Sequence, residues 1–333
     1  MFQLERYSKN PILEPIKEHS WESKMVFNPA VVYKDDKIHV IYRARGEDKL
    51  GDILISRLGY ALFSKDGVTL EKRHHYPIYE PKEWYEPAGC EDPRITEIEG
   101  KYYLLYTAYF GREKGTEPMM KGERVNIAMA STEDFFKWKR HGILLPEVDA
   151  PEKNGILFPE KINGYYVCYY RIEPDIYVAY SKSLEKPLWR GHKKIISPRK
   201  GQWDGHKIGA GAPPIKTDQG WLFIYHGVDK MGPPRRQMKT GYGTIDTERM
   251  YRLGVMLIAK DNPEKIIYRS KGYILEPQEP YELEGLIPRV VFTCGAVVVD
   301  DNLFVYYGGA DTVIGVASCK LPEILEAAKK DKI

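Results

Sequence analysis

Apolar and polar positions along the chain fall into a pattern that occurs five times. Each occurrence opens on a Pro or Gly, runs through a short apolar strand and a polar turn, and returns through a second strand ending in Tyr and a polar residue. The five stretches are Asn28-Pro29 to Tyr42-Arg43, Asp92-Pro93 to Tyr106-Thr107, Phe158-Pro159 to Tyr170-Arg171, Pro213-Pro214 to Tyr225-His226, and Cys294-Gly295 to Tyr306-Tyr307. From the Pro or Gly to the Tyr the spacing is 13, 13, 11, 11 and 11 residues. Turns such as Lys34-Asp35-Asp36-Lys37, Glu99-Gly100-Lys101, Asn163-Gly164 and Asp300-Asp301-Asn302 have the chemistry that reverses a strand, so each stretch predicts a hairpin. A third β-like stretch rich in small residues follows every hairpin, and a fourth carries Trp138, Trp189 or Tyr268 in three of them.

A four-stranded sheet cannot bury both faces alone but stacks well in a ring, and repetition at intervals of roughly 55 to 80 residues is the spacing of such blades. The pattern therefore predicts an all-β chain, a five-bladed β-propeller with a short C-terminal helix. Residues 1–333 form one domain, with blades at roughly 25–80, 88–145, 153–200, 208–275 and 288–320. No linker or change of composition divides the chain. The helix is expected at 321–329, with Pro322 at its opening and Lys329 in its last turn, packed on the outside or on a second copy of the chain. Long loops between second and third strands, near 44–58, 108–126 and 227–253, mark the end of the ring where a site would be built.

Composition changes this picture little. With 43% hydrophobic and 29% charged residues the chain can bury a sizeable core, and 50 Lys+Arg against 47 Asp+Glu leave a net charge of only +3. Scattered basic residues make nucleic acid a poor partner. No apolar run precedes the first charges at the N-terminus, and none approaches the roughly 18 residues that span a bilayer. These features predict a soluble, unexported, cytoplasmic protein without membrane contact. Cys90, Cys168, Cys294 and Cys319 lie far apart, without a CxxC pair or a His at ligand spacing, and read as reduced thiols. No metal site is expected. Asn and Gln total only twelve beside abundant Lys, Glu and Arg, a balance that points to a thermophilic source. The 25 Tyr and 6 Trp suit both β-sheets and the faces of sugars.

Equivalent strand ends of a propeller converge on one mouth of its central channel. There the repeat gathers Asn28, Arg43, Asp92, Arg94, Arg171, His226 and, just past Tyr307, Asp311. Each has an ordinary explanation: Asp92-Pro93 is a common turn, and Arg43 or Arg171 can pair with Glu160 or Glu173. Their joint occurrence at matched positions favours a site.

The residues also resemble a known family. Tyr85-Glu86-Pro87-Ala88-Gly89-Cys90-Glu91-Asp92-Pro93-Arg94, Leu157-Phe158-Pro159-Glu160-Lys161, the run 207–214, Gly220 to Val228, Val290 to Gly295, and Tyr306 to Asp311 look like motifs of the β-mannoside phosphorylases, glycoside hydrolase family 130. The resemblance runs in order from about residue 10 to 320 and implies the same five-bladed fold. It implies an inverting phosphorolysis, in which inorganic phosphate attacks a terminal β-mannosyl unit and α-mannose 1-phosphate leaves. Asp92 matches the family's proton donor, acting through the mannosyl 3-hydroxyl. Arg171, Lys207, His226 and Tyr242 match the phosphate-binding groups, and Asn28, Arg43, Arg94 and Asp311 are expected at the mannosyl ring. Lys153 stands near a position where the family carries Arg or Lys, although Glu152-Lys153-Asn154 departs from the pattern.

The residue types suit that chemistry. An inverting glycosidase needs a second carboxylate to deprotonate water, whereas phosphate arrives anionic and is better met by cations. Phosphate is thus a co-substrate, and no cofactor is implied. Two alternatives are a β-mannosidase-type hydrolase of the same fold with Glu160 or Glu282 as base, and a non-catalytic carbohydrate-binding propeller.

Overall fold

The computed structural model describes residues 2–112, 123–230, 237–240, 243–246 and 249–330. Among the described residues its strands form five antiparallel units, of four strands each except the fourth, which has five; Gln237–Thr240 and Gly243–Asp246 pair separately. The first comprises Met25–Lys34, Lys37–Leu50, Ile53–Ser64 and Leu70–Arg73, and the second Gly89–Ile98, Lys101–Arg112, Glu123–Thr132 and Lys139–Ile143. One parallel contact, Ser56 with Gly89, links these two into a single sheet. The third unit is Lys153–Leu157, Tyr166–Ile172, Asp175–Ser181 and Arg190–Ile196. In the fourth, Lys207–Ala210 and Ile215–Thr217 both pair with Gly220–Lys230, followed by Arg249–Ile258 and Ile266–Arg269. The fifth contains Val291–Val299, Asn302–Gly309 and Val313–Lys320, and its fourth strand is Glu5–Arg6. Glu5–Arg6 thus completes the last unit, a pairing no repeat in the sequence marks because a two-residue strand has no period.

Five apolar seams hold the units together, one between each neighbouring pair. Leu58 and Tyr60 meet Cys90 and Leu104 between the first and second units. Leu105 and Ile127 meet Leu157 and Cys168 between the second and third. Ile156 and Val178 meet Trp221 and Met256 next, then Leu253 and Val255 meet Val291 and Val305. The fifth seam joins Val297, Tyr306 and Val316 to Val26, Val40 and Phe63 of the first unit. Burying a Leu, Val or Phe in such a seam contributes about 1.5–3 kcal/mol. The helix Leu321–Lys330 lies over the seam between the fourth and fifth units, burying Ile324, Leu325 and Ala328. No helix among the described residues is long and apolar enough to cross a membrane. The four cysteines are free thiols, three of them buried and Cys319 half-buried.

The recurrent Tyr of the sequence pattern has a structural cause. In four of the units it ties a carboxylate that precedes the first, inner strand to a cation on the fourth strand, and in the third unit a histidine joins the two. Tyr42 donates to the fully buried Glu22 at 2.8 Å and Arg73 binds the same oxygen at 2.6 Å. Tyr106, Glu86 and Arg140 repeat this in the second unit. Tyr225 donates to Asp204 at 2.8 Å beside Arg269 at 2.6 Å. In the third unit His192 stands between Tyr170, at 2.8 Å, and Glu147, at 3.0 Å. In the fifth, Tyr307 donates to Glu282 at 2.7 Å, and the cation is Arg6 of the N-terminal strand, at 2.8 and 2.9 Å. Small residues opposite the Tyr let its ring cross the third strand: a Cβ on Gly59 would lie 2.4 Å from the Tyr42 ring. Pairing with its neighbours makes Tyr307, not Tyr306, the repeat residue of the fifth unit, and Tyr306 instead donates to Gly67 of the first.

Candidate active site

Each inner strand breaks its ladder at the same level. The registers slip between Phe27 and Ala30, Glu91 and Arg94, Lys153 and Ile156, and Thr293 and Gly295, and the fourth unit interrupts its inner strand after Ala210. A bulge re-aims one side chain and bends the strand. At three of these bulges the residue is Asn28, Asp92 or Asn154, with φ of 49°, 49° and 55°. Asn and Asp tolerate that left-handed conformation better than other side chains bearing a Cβ.

Around these bulges the side chains form two clusters of contacts, whose charges act on each other through space. Asp92 Oδ1 accepts from Asn28 at 2.9 Å and from Arg43 at 2.8 Å, while its Oδ2 makes no hydrogen bond among the described residues. Arg43 also pairs with Glu91, which Arg45 meets at 2.9 Å and Lys153 at 3.8 Å. On the far side, Glu173 Oε1 takes Lys207 at 2.7 Å and Arg171 at 3.2 Å. Arg171 in turn donates to Nε2 of His226 at 3.4 Å, so the ring proton sits on Nδ1. That Nδ1–H, Arg171 Nε, Asn28 Oδ1 and Asn154 Oδ1 are buried without a partner among the described residues. Gly209 makes room for the last pair of side chains, since a Cβ there would lie 2.5 Å from His226 and 2.6 Å from Asn154.

Charges in these clusters set one another. Burial alone would raise the pKa of Asp92, but Arg43, Arg94, the Asn28 amide and Lys153 outweigh it and hold the carboxyl well below the usual range. Asp311, at φ 53° with no hydrogen bond or ion pair among the described residues, shows the reverse balance. Burial, with Asp92 and Glu91 adding to it, pushes Asp311 up to about 7 against the pull of Arg43 and Arg45. Glu173 is lowered to about 2, because Arg171, Lys207 and Lys153 overcome its burial. Burial, with Arg171, Arg94 and Lys207, holds His226 well below its ordinary value, so it is neutral and offers a hydrogen bond, not a charge.

The structure thus brings together Asn28, Arg43, Asp92, Asp311, Arg171, Lys207 and His226 of the residues expected from sequence, with Lys153, the uncertain match, beside Glu91. Tyr242 lies outside the described residues. Arg94 is a correction: its three nitrogens donate to the main-chain oxygens of Gly211, Asp92 and Ala210, so it cross-links two inner strands and does not present itself to a sugar. Its charge still lowers Asp92, although its guanidinium points at carbonyls and not at the carboxylate. Glu160 and Glu282, the bases required by the hydrolytic alternative, are both elsewhere. Glu160 pairs with Lys216 in an exposed salt bridge, and Glu282 is consumed by Arg6 and Tyr307.

Sequence reasoning missed Asn154, Arg45 and the roles of Glu91 and Glu173. Asn154-Gly155 was hidden because the third hairpin was aligned on Phe158-Pro159, whereas its inner strand ends at Leu157. Asn28 precedes Arg43, and Asp92 precedes Thr107, by 15 residues, but Asn154 precedes Arg171 by 17, so the longer hairpin shifted the marker. The expected long loops also differ. Residues 44–58 are mostly strand, with Lys37–Leu50 and Ile53–Ser64 running on past the site.

The profile of the β-1,4-mannooligosaccharide phosphorylase family, glycoside hydrolase family 130, matches residues 3–330. The chain belongs to this family. A 1,2-β-oligomannan phosphorylase of Thermoanaerobacter sp. (strain X514) is 41% identical over 97% of this chain and 99% of its own length. A β-1,2-mannobiose phosphorylase of the same organism is 44% identical over 95% and 97%. Among solved structures, the β-1,2-mannobiose phosphorylase of Listeria innocua, in complex with β-1,2-mannobiose, superposes with a TM-score of 0.81 at 25% identity, covering 98% of this chain and 99% of that one.

Proposed function

We propose that this protein is a glycoside phosphorylase that cleaves terminal β-1,2-linked mannosyl units with inorganic phosphate, releasing α-mannose 1-phosphate and a shortened acceptor. The β-1,2 linkage is taken from the names of the two Thermoanaerobacter relatives and the Listeria structure. The family description names β-1,4 linkages. The five seams, the last joining fifth unit to first, support a single five-bladed propeller whose inner strands surround the site.

One grouping carries the reading: Asp92 keeps an oxygen without a hydrogen bond among the described residues, and the charges of Asp92, Arg171 and Lys207 all act on the buried, neutral His226. In this reading Asn28, Arg43 and Asp311 hold the mannosyl ring, and Arg171, Lys207, Lys153 and His226 hold phosphate. Asp92 passes a proton, by way of the mannosyl 3-hydroxyl, to the glycosidic oxygen while a phosphate oxygen attacks the anomeric carbon from the opposite face. Asp92 is ionised in the free protein; the added negative charge of phosphate beside Lys153 and Arg171, with exclusion of water by the sugar, raises it toward protonation. The partnership with Asp311 keeps one proton in the pair near neutral pH.

Hydrolysis fits less well. Besides Asp92, the site's carboxylates are Glu91, Asp311 and Glu173, and Glu173 is the one beside the anion site. At about 2 its pKa makes it a poor acceptor of a proton from water. The test is incubation with β-1,2-mannobiose in phosphate-free buffer and again with phosphate added. Mannose 1-phosphate should form only with phosphate. Rapid release of free mannose without it would overturn the assignment in favour of the hydrolase.

A further inference from the structure

A carboxylate inside a site for an anion repels its ligand unless it does something the cations cannot. Glu173 occupies that position. Its Oε1 anchors both Lys207 and Arg171, and its Oε2 makes no hydrogen bond among the described residues. Its side chain is 20% exposed, so part of it remains open to a ligand held by the same two cations. We propose that Glu173 selects a protonated oxyanion by accepting a hydrogen bond from the P–OH of phosphate. This rests on the reading that Arg171 and Lys207 hold phosphate.

The discrimination follows from the chemistry of the anions. Inorganic phosphate and arsenate keep at least one proton at any pH near neutrality, whereas sulfate keeps none. A P–OH donating to Glu173 turns the clash of two acceptors into a charge-assisted hydrogen bond. Sulfate can offer Glu173 only oxygen lone pairs, so it meets uncompensated repulsion, and the site rejects it by what it leaves unpaired. Glu173 stays ionised throughout the working range, because Arg171 and Lys207 overcome its burial. The contact also orients the nucleophile. With the P–OH turned to Glu173, the unprotonated oxygens face Lys207, Arg171 and the space beside Asp92, where attack must start.

Equilibrium binding of phosphate, arsenate and sulfate, measured by titration calorimetry on the wild-type protein and on Glu173→Gln, tests this directly. The wild type should bind phosphate and arsenate alike and sulfate roughly tenfold or more weakly, the worth of one hydrogen bond to a charged group. In Glu173→Gln the amide N–H can donate to any oxyanion, so sulfate should close that gap. Glu173→Ala, which can neither accept nor donate, should lose the discrimination as well and serves if the Gln variant folds poorly. A purely structural Glu173, holding Lys207 and Arg171 in place, would weaken all three anions together and leave their ratio untouched. An unchanged ratio in both variants, or a wild type that binds sulfate as well as phosphate, overturns the proposal. Formation of mannose 1-phosphate from β-1,2-mannobiose by the wild type, followed in parallel, reports on phosphorolysis separately, since the anion ratios are measured without turnover.

Discussion

Replacing Asp311 with Asn should make the protein more stable at pH 8 and have much less effect in mild acid. Partial burial beside Asp92 and Glu91 pushes the Asp311 carboxyl up to about 7 in the folded protein. In an unfolded chain it titrates near 3.9. Between those values the native state holds a proton that the unfolded state has released, so stability falls as pH rises from about 4 to about 7 and is flat above. At about 1.36 kcal/mol per unit, the ionised Asp311 costs the fold up to about 4 kcal/mol at pH 8, an upper bound because the carboxyl is partly exposed. Unfolding entropy of about 2.1 cal/mol/K per residue gives roughly 0.7 kcal/mol/K for this chain, so Asp311→Asn should raise Tm by up to about 6 °C. At pH 4.5 the gain shrinks to about 1 kcal/mol, roughly 1–2 °C. Asp92 behaves with the opposite sign. Its folded pKa is depressed, so the stability it contributes is present above about 4 and is lost as pH falls below that value, and Asp92→Asn should lower Tm at pH 8. The same variant should lose about 10²–10⁴-fold in turnover, the usual worth of a general acid. Scanning calorimetry of the three proteins at pH 4.5, 6 and 8, without phosphate or sugar, separates these effects. A Tm difference between Asp311→Asn and wild type that does not change with pH, or that is negative at pH 8, would refute the electrostatic account of this pair.

Two further outcomes follow. Arg171→Ala or Lys207→Ala should raise the KM for phosphate by roughly ten- to a hundred-fold, about 1.5–3 kcal/mol for a charged hydrogen bond, while the KM for the mannoside moves little; Asp311→Ala should do the reverse, and equal effects on both substrates in folded variants would break the partition. Arg6→Met removes the cation from the buried Glu282, which should cost about 3 kcal/mol and lower Tm by about 4 °C with turnover unchanged at assay temperature; an unaltered Tm would show that the N-terminal strand does not close the last unit.

What the sequence showed depended on whether the signal was periodic. The all-β character and the convergence of Asn28, Asp92 and Arg43 followed from alternation and from repeated Pro and Tyr positions, and the helix after Lys320 from its helical spacing and its terminal Pro and Lys. The fourth strand of the last unit did not, because two residues at the other end of the chain carry no pattern that points to Val313–Lys320. Asn154 escaped because a hairpin longer by two residues moved its bulge away from the nearest proline. Glu173 was weighed as an ion-pair partner of Arg171, and that pairing exists, but its second pairing with Lys207 comes from a different unit and could not be read along the chain. Arg94 failed in the other direction. Its place beside Asp92 in sequence suggested a ligand contact, whereas the inner strand of the fourth unit supplies carbonyls that claim its guanidinium.

The repeated Tyr and the bulge are two parts of one arrangement. A residue before proline prefers an extended backbone, yet Asn28 and Asp92 both precede proline with φ of 49°. Such a conformation costs of order 1–3 kcal/mol and persists only where its surroundings over-determine it. The anchored carboxylates Glu22 and Glu86 each lie six residues before the strained position, bonded to a Tyr on the adjoining strand and an Arg on the outermost one. They fix the segment that feeds the bulge from outside, while the bond from Asn28 to Asp92 and the pairing with Arg43 fix it from inside. Strain at the centre is therefore carried by contacts that never touch a substrate. This explains why the Tyr recurs in all five units although the charged residues at the strand breaks differ in each: the clasp serves the geometry of every inner strand, and the chemistry is free to vary at the break it holds in place.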